Sequence, residues 1–586
     1  MMKYSQKTLI FWFSLALTFA AIYAGLAMKI AFSAPYVVQD DARVYVFWMQ
    51  RFLEPDLLQG DFITDYFKSV TPLGFATIYK IVAAFGITPL FFSKILPLFL
   101  VLVATSYCFL LTLEILPIPI AGFISALLLN QSLWMRDDIA SATPRSFTAI
   151  LLMATLYYIW RRSWVIVCIC VALLGLLYPP TMFLGIGMLV LRIFLAIWPN
   201  IQAKIPAFAI IKTSENNNYS LSKKELMLCI TGLVISFLIM LFYAINQSEY
   251  GPTITAAEGR NWAEFMQEGR APFFDDAHPW KFWFKNNNSG FRLSLNPPYV
   301  ATAFLLPFLI KFSSRFPLAE KITGAVMLLP QLLVVSTGMF LAAHAVWLRL
   351  FFPDRYTMHS LQIIMAISAG LAITVLFDGL KQWAEKTPDI SNFLPTINKK
   401  QVLAWSAIAI ASSVLIFFPN IAWGKRFPKT GYIAVEAPII YDFLRASPED
   451  TMVASLAEEA NNIPTFAKRA ILVGREYGNP YHIGFYREFK QRSTDLIRAQ
   501  YTSNLPEVQE FIKKYKISFW LIEKNAFNPD YLTNNWIRLY QPAASAAATN
   551  LQQGNIPAIL KLTRQCTAVD SGNFVLLSAP CIINSK

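Results

Sequence analysis

Three pairs of adjacent aspartates stand beside long apolar runs: Asp40-Asp41, Asp137-Asp138 and Asp275-Asp276. Neighbouring carboxylates repel, and near a low-dielectric wall the pKa of one member rises. A carboxylate placed this way serves as a general base or helps to hold a divalent cation such as Mg or Mn. Plain solvation or helix capping is the alternative for each pair. It is the expected reading for Asp275-Asp276, and Asp138 stands where it can cap a segment that begins at Ile139. Asp40-Asp41 is singled out by the residues after it. In the stretch from Ala42 to Phe52, Phe47, Trp48, Arg51 and Phe52 share one face at helical spacing. This pattern predicts an amphipathic helix lying in the membrane interface, which would hold the pair at headgroup level. Aromatic anchoring alone is the simpler account of the same residues.

Arginine is the second chemistry-bearing type. Arg355, in Phe352-Pro353-Asp354-Arg355-Tyr356, is expected at the mouth of a helix, where its planar fork matches phosphate oxygens. Neutralisation by Asp354 and nonspecific headgroup contact are the alternatives. Arg145, after Pro144, is a weaker phosphate-binding candidate, and Asp137 with Asp138 forms a secondary acidic or metal-binding candidate. His359 can titrate near neutrality, but a lone histidine at a helix start reads as structural. His344 and His482 receive no role, and the four histidines make no zinc pattern. Cys566 and Cys581 flank the strand-like Phe574-Val575-Leu576-Leu577. Outside the cytoplasm they can close a terminal hairpin as a disulfide; two unpaired thiols are the alternative.

The elements that must position these groups are membrane helices. Of 586 residues, 55% are hydrophobic and 15% charged, against about 25% charged in soluble proteins. Apolar runs recur from Leu9 to about Pro419, too long for ordinary core helices. Spans are expected near 8–30, 90–113, 119–133, 146–160, 164–178, 180–197, 226–245, 299–311, 322–341, 360–379 and 402–419. Residues 72–86 are apolar but short and are expected to dip without crossing. Basic loops orient the set, among them Arg161-Arg162 and the lysines Lys204, Lys212, Lys223, Lys224, Lys381, Lys386, Lys399 and Lys400. About 11 crossings result, with a transmembrane domain over 1–424 and an extracytoplasmic α/β domain over 425–586. In that domain, strands are expected at Met452–Leu456, Ile471–Val473 and Ile517–Ile522, helices over 482–501 and 505–515, and a loop from Ala543 to Asn550. The charge of +14 is dispersed among loops and carries no basic motif, which excludes nucleic acid as a partner. No Walker loop, nucleotide-binding glycine turn or Gly-x-Ser-x-Gly occurs.

This arrangement resembles the GT-C superfamily of polytopic membrane glycosyltransferases. The matching residues are Val38-Gln39-Asp40-Asp41-Ala42-Arg43 after the first span, Thr71-Pro72-Leu73-Gly74-Phe75 after the loop, Asp137-Asp138 as a second acidic site, and Phe352 to Tyr356 at the late helix mouth. The resemblance covers most of residues 8–420 as architecture, in a fold with juxtamembrane helices in the first outer loop. It implies transfer of a sugar, with inversion, from a polyprenyl-phosphate carrier in the membrane lipid to an unknown acceptor outside the cytoplasm of a bacterial inner or plasma membrane. Asp40 or Asp41 would be the base and Arg355 would hold the leaving phosphate. Some members use a divalent metal and others do not. No Trp-Trp-Asp motif occurs, unlike the oligosaccharyltransferase catalytic subunit, which argues against N-glycosylation of proteins. A non-enzymatic lipid or polysaccharide transporter or envelope assembly protein is the alternative function, because a retained fold does not imply retained catalysis.

Overall fold

A computed structural model describes residues 5–204, 222–246, 248–385 and 399–586. Lys212 and Lys386 lie outside the described residues. Seven helices among those described are long and apolar enough to cross a membrane: Gln6–Ala31, Pro89–Ile115, Pro179–Ile197, Lys223–Ile245, Gly324–Ala345, Asp354–Glu385 and Lys399–Arg426. Shorter helices, Pro119–Trp134, Thr148–Trp160 and Trp164–Leu177, pack among them. The chain is thus a helical polytopic membrane protein with a C-terminal α/β portion.

Helix Leu73–Ala83 decides which loops share a face. Eleven residues span about 16 Å, roughly half of a bilayer core. Its Tyr79 hydroxyl donates to the Ala142 carbonyl at 2.9 Å, and its ring meets Phe92 at 5.0 Å. The next long helix starts beside the end of the first, with Phe91 and Phe32 5.7 Å apart. The chain beyond this helix is therefore back beside the end of Gln6–Ala31. The loops after Ala31 and after Trp134 emerge at one end of the bundle, together with the start of Asp354–Glu385.

Two spans differ from expectation. Residues 299–311 form a 3₁₀ stretch, Pro298–Leu305, followed by a short α-helix, Leu306–Lys311. Prolines 297, 298 and 307 lack the amide donors that a continuous α-helix needs. The helix expected from 360 begins at Asp354, so Arg355 stands in its first turn.

The C-terminal portion holds a five-stranded sheet. Its strands are numbered after β1 (Val37–Gln39) and β2 (Tyr432–Ala434), which pair with each other. They are β3 (Met452–Ser455), β4 (Ala470–Ile471), β5 (Phe519–Glu523), β6 (Thr567–Ser571) and β7 (Phe574–Ser578), in spatial order β4-β3-β5-β7-β6. β3 runs parallel to β4 and β5, while β7 is antiparallel to β5 and β6. Cys566 and Cys581 are joined by a disulfide that brackets the β6–β7 hairpin. Helices Ile483–Tyr501 and Leu505–Tyr515 agree with the sequence pattern. The alanine-rich stretch does not: Ala543–Gln552 is a helix, not a loop. Alanine is the best helix former, and Ala543, Ala544 and Ala547 are buried.

The segment after the acidic pair is corrected as well. Residues 40–52 form a six-residue α-helix, Asp40–Tyr45, and a 3₁₀ stretch, Phe47–Phe52. They do not lie in a lipid interface. Phe47 and Trp48 are 1% and 4% exposed, Phe47 packs on Tyr477 at 5.3 Å, and Gln50 donates to the Thr465 carbonyl at 3.2 Å. The apolar face is covered by other parts of the chain, Phe67 and Tyr477 against Phe47 among them, a choice that periodicity alone does not encode.

Candidate active site at the mouth of the helix bundle

The acidic pair is fixed by its own neighbours. The Gln39 side chain accepts from the amides of Asp41 and Ala42 at 2.8 and 3.0 Å, which caps the short helix. The Asp40 amide donates to the Gly431 carbonyl at 3.0 Å, next to the β1–β2 pairing. The two carboxylates then part. Asp40 pairs with Arg43 at 2.6 Å, whereas Asp41 accepts from Arg145. Burial, then the nearby Glu476 carboxylate, pushes the Asp40 carboxyl above its ordinary range, and Arg43 opposes them.

Arg145 gathers three acids. Besides Asp41 it lies 3.3 Å from Asp138 and 3.9 Å from Asp137. Asp138 does not cap a helix. Its backbone carbonyl accepts from Ser141 and Ser146, and its carboxylate meets Arg136 at 3.0 Å. Burial pushes the Asp138 carboxyl up, but Arg136 and Arg145 outweigh it and hold the group well below the usual range. The loop is clamped from below by the Tyr79 bond to Ala142, a residue held at a φ of +51°.

Arg355 enters from the other side. It donates to Asn288 at 3.2 Å and lies 3.5 Å from Asp354, which Arg292 also approaches at 3.4 Å. Asp354 is thus shared, and the buried Nε of Arg355 has no hydrogen-bond partner. Just before it, the turn 348–351 closes through a bridge between Leu348 and Phe351, both at positive φ. Such backbone is costly for bulky side chains. It presents Arg349, which sequence reasoning passed over although it lies in the same aromatic-basic stretch.

Part of this set lines one cavity of about 510 Å³, which Asp40, Asp137 and Asp138 do not border. Asp41, Arg145 and Arg355 border it, joined by Arg270, Arg349, Glu476 and His482. Arg270 pairs with Glu476 at 2.6 Å, and His482 Nδ1 lies 3.0 Å from the Tyr66 hydroxyl. Apolar wall comes from Val44, Phe67, Val70, Phe183 and Leu350. Arg270, Glu476 and His482 carried no local signal, because each reaches the cavity through tertiary packing. Asp275 and Asp276 stay outside it, tied to His278 at 2.9 Å and Arg260 at 2.7 Å. His344 bonds the Ser289 carbonyl at 2.9 Å within an aromatic cluster, and His359 is buried in its helix.

Asp41, Asp137 and Asp138 all lie within ion-pair distance of Arg145, Asp138 also of Arg136, and no group of three or more His, Cys, Asp or Glu side chains is placed to hold a metal ion among the described residues.

Solved structures with this architecture exist. The archaeal oligosaccharyltransferase AglB from Archaeoglobus fulgidus, in complex with an inhibitory peptide and a dolichol-phosphate, superposes with a TM-score of 0.54 at 13% identity, over 91% of this chain and 72% of that one. This chain has the GT-C fold. The apo form of the Archaeoglobus fulgidus oligosaccharyltransferase gives a TM-score of 0.51 over the same shares at 13% identity. ArnT from Cupriavidus metallidurans bound to undecaprenyl phosphate matches at 0.45 and 12% identity, over 98% of this chain and 100% of that one. No family model and no curated protein matches the sequence. The loop after Gln6–Ala31 and the start of Asp354–Glu385 both border the one cavity described above.

Proposed function

We propose that this protein is a membrane glycosyltransferase that moves a sugar from a polyprenyl-phosphate carrier to an acceptor outside the cytoplasm. One observation carries the reading: a carboxylate, Asp41, and the guanidinium groups of Arg355 and Arg349 face the same cavity beside an apolar wall. The apolar side suits a polyprenyl chain, and the arginines suit its phosphate. AglB, similar in fold, is named in complex with a dolichol-phosphate.

Asp41, rather than Asp40, is assigned as the general base, since both carboxylates are paired with an arginine but only Asp41 borders the cavity. Asp41 takes the proton of an acceptor hydroxyl as that oxygen bonds to the sugar's anomeric carbon. The bond from that carbon to the phosphate oxygen breaks, the configuration inverts, and polyprenyl phosphate leaves with its charge held by Arg355 and Arg349. Arg145 fixes Asp41 and balances Asp137 and Asp138, and no step is routed through a metal. The basic residues at the opposite end of the bundle, Arg162 beside Glu225 at 3.1 Å among them, support a cytoplasmic assignment for that end. The membrane assigned is the bacterial inner or plasma membrane.

The test is turnover of polyprenyl-phosphate sugar by the purified full-length protein in nanodiscs, with released polyprenyl phosphate read by mass spectrometry. Wild type should release it only with acceptor extract present, and Asp41→Asn should not. Equal release by both proteins would remove the base assignment.

A further inference from the structure

A second cavity, of about 600 Å³, lies in the C-terminal portion and has no part in the chemistry above. Its position comes from the sheet. The chain leaves β3 to reach β4 on one side and returns to place β5 on the other. In open α/β sheets the crevice at the carboxyl ends of two such strands is where ligands bind. Glu523 ends β5, and Asn525, Asn528 and Asp530 come after it into that crevice. Glu436 and Tyr531 also belong to its wall.

The chemistry of the lining is one-sided. Glu458 is paired with Arg475 at 2.6 Å. Glu436, Glu523 and Asp530 make no ion pair among the described residues. Carboxylates and carboxamides side by side accept from and donate to vicinal hydroxyls, and a tyrosine offers an apolar face to a sugar ring. The excess of carboxylate disfavours an anionic guest. Three further atoms lack partners: the buried Oδ1 of Asn535, the Tyr531 hydroxyl and the Nε of Arg43, a residue only 7% exposed.

Arg43 links the two cavities. It donates to Asn462 on the crevice wall at 2.9 Å and to Asp40 at 2.6 Å, and it lies 3.8 Å from Glu476 on the wall of the first cavity. A molecule seated in the crevice is thus one side chain away from the proposed transfer site. We propose that the crevice holds the glycan portion of the acceptor: an oligosaccharide that is neutral or bears amino groups. Acidic glycans are excluded. This deepens the transferase reading and rests on it.

Binding is measured on the full-length protein in nanodiscs with three probes: chitohexaose, its N-deacetylated cationic form, and hexagalacturonate. The first two should bind and the third should not. Glu523→Gln with Asp530→Asn should weaken the cationic probe at least tenfold, and Asn528→Ala should weaken both binders. Asp41→Asn should bind like wild type. Failure of the first two probes, preference for hexagalacturonate, or unchanged affinity in all crevice variants would overturn the proposal. Persisting transfer in that case breaks the glycan assignment alone. Intact probe binding in a protein that never turns over a polyprenyl-phosphate sugar breaks the transferase reading alone.

Discussion

The two cavities are opposites built a few residues apart. The one at the bundle mouth carries four arginines, Arg145, Arg270, Arg349 and Arg355, against Asp41 and Glu476. The crevice at the ends of β3 and β5 carries five carboxylates and one arginine, Arg43. A net charge of +14 describes neither. Under the proposed function this contrast would sort substrates by charge: phosphate on one side of the Arg43–Asp40 pair, hydroxyls on the other.

The sharpest way to break this division is Asp41→Asn. It should cut transfer by about 10²–10⁴-fold, the usual worth of a general base, while leaving donor binding in place. Equilibrium binding of polyprenyl phosphate alongside turnover separates the two effects. Next comes Arg145→Ala, which leaves Asp41, Asp137 and Asp138 facing one another without their shared cation. Breaking a buried pair costs about 3–5 kcal/mol, so the variant should lose thermal stability as well as activity. Chelation with EDTA should leave wild-type turnover unchanged, and a loss restored by Mn would return the acidic pairs to a metal role.

A smaller effect is expected of Arg349→Ala and Arg355→Ala. Each removes a charged hydrogen bond worth about 1.5–3 kcal/mol, so donor affinity should fall about ten- to one-hundredfold. Titration with polyprenyl phosphate should show the loss, whereas probes of the acidic crevice should bind as before. Coupled losses at both cavities would erase the distinction between them.

The smallest effect concerns the seam. Glu264 lines a pocket between the two, with Arg270 on one side and Asn534 and Asn535 on the other. Burial pushes its carboxyl up to about 7. The fold accommodates the neutral acid. The stabilisation is present in full below the ordinary carboxylate range and is lost as pH rises through about 7. It amounts to about 1–3 kcal/mol. Tm should therefore fall between pH 5 and pH 8, and Glu264→Gln should flatten that slope.

Short-range rules account for everything legible in the order of residues. Apolar length made the long helices, because lipid leaves backbone groups no other partner. The apolar pattern of 72–86 sufficed for a short helix. The pattern of Ile517–Ile522 and of residues 482–515 sufficed for a strand and two helices. The candidate residues Asp41, Arg145 and Arg355 were also legible by type and place. Tertiary packing settled the rest. It buried the amphipathic face of Phe47 and Trp48 inside the protein, since a protein interior and lipid accept the same apolar stripe. It separated Asp40 from Asp41 by giving each its own arginine, a choice that adjacent identical residues cannot express. It brought Arg270, Glu476 and His482 to the cavity from stretches with no local pattern. The acidic crevice was equally hidden, because its carboxylates come from segments separated by dozens of residues and meet only where β3 and β5 lie side by side.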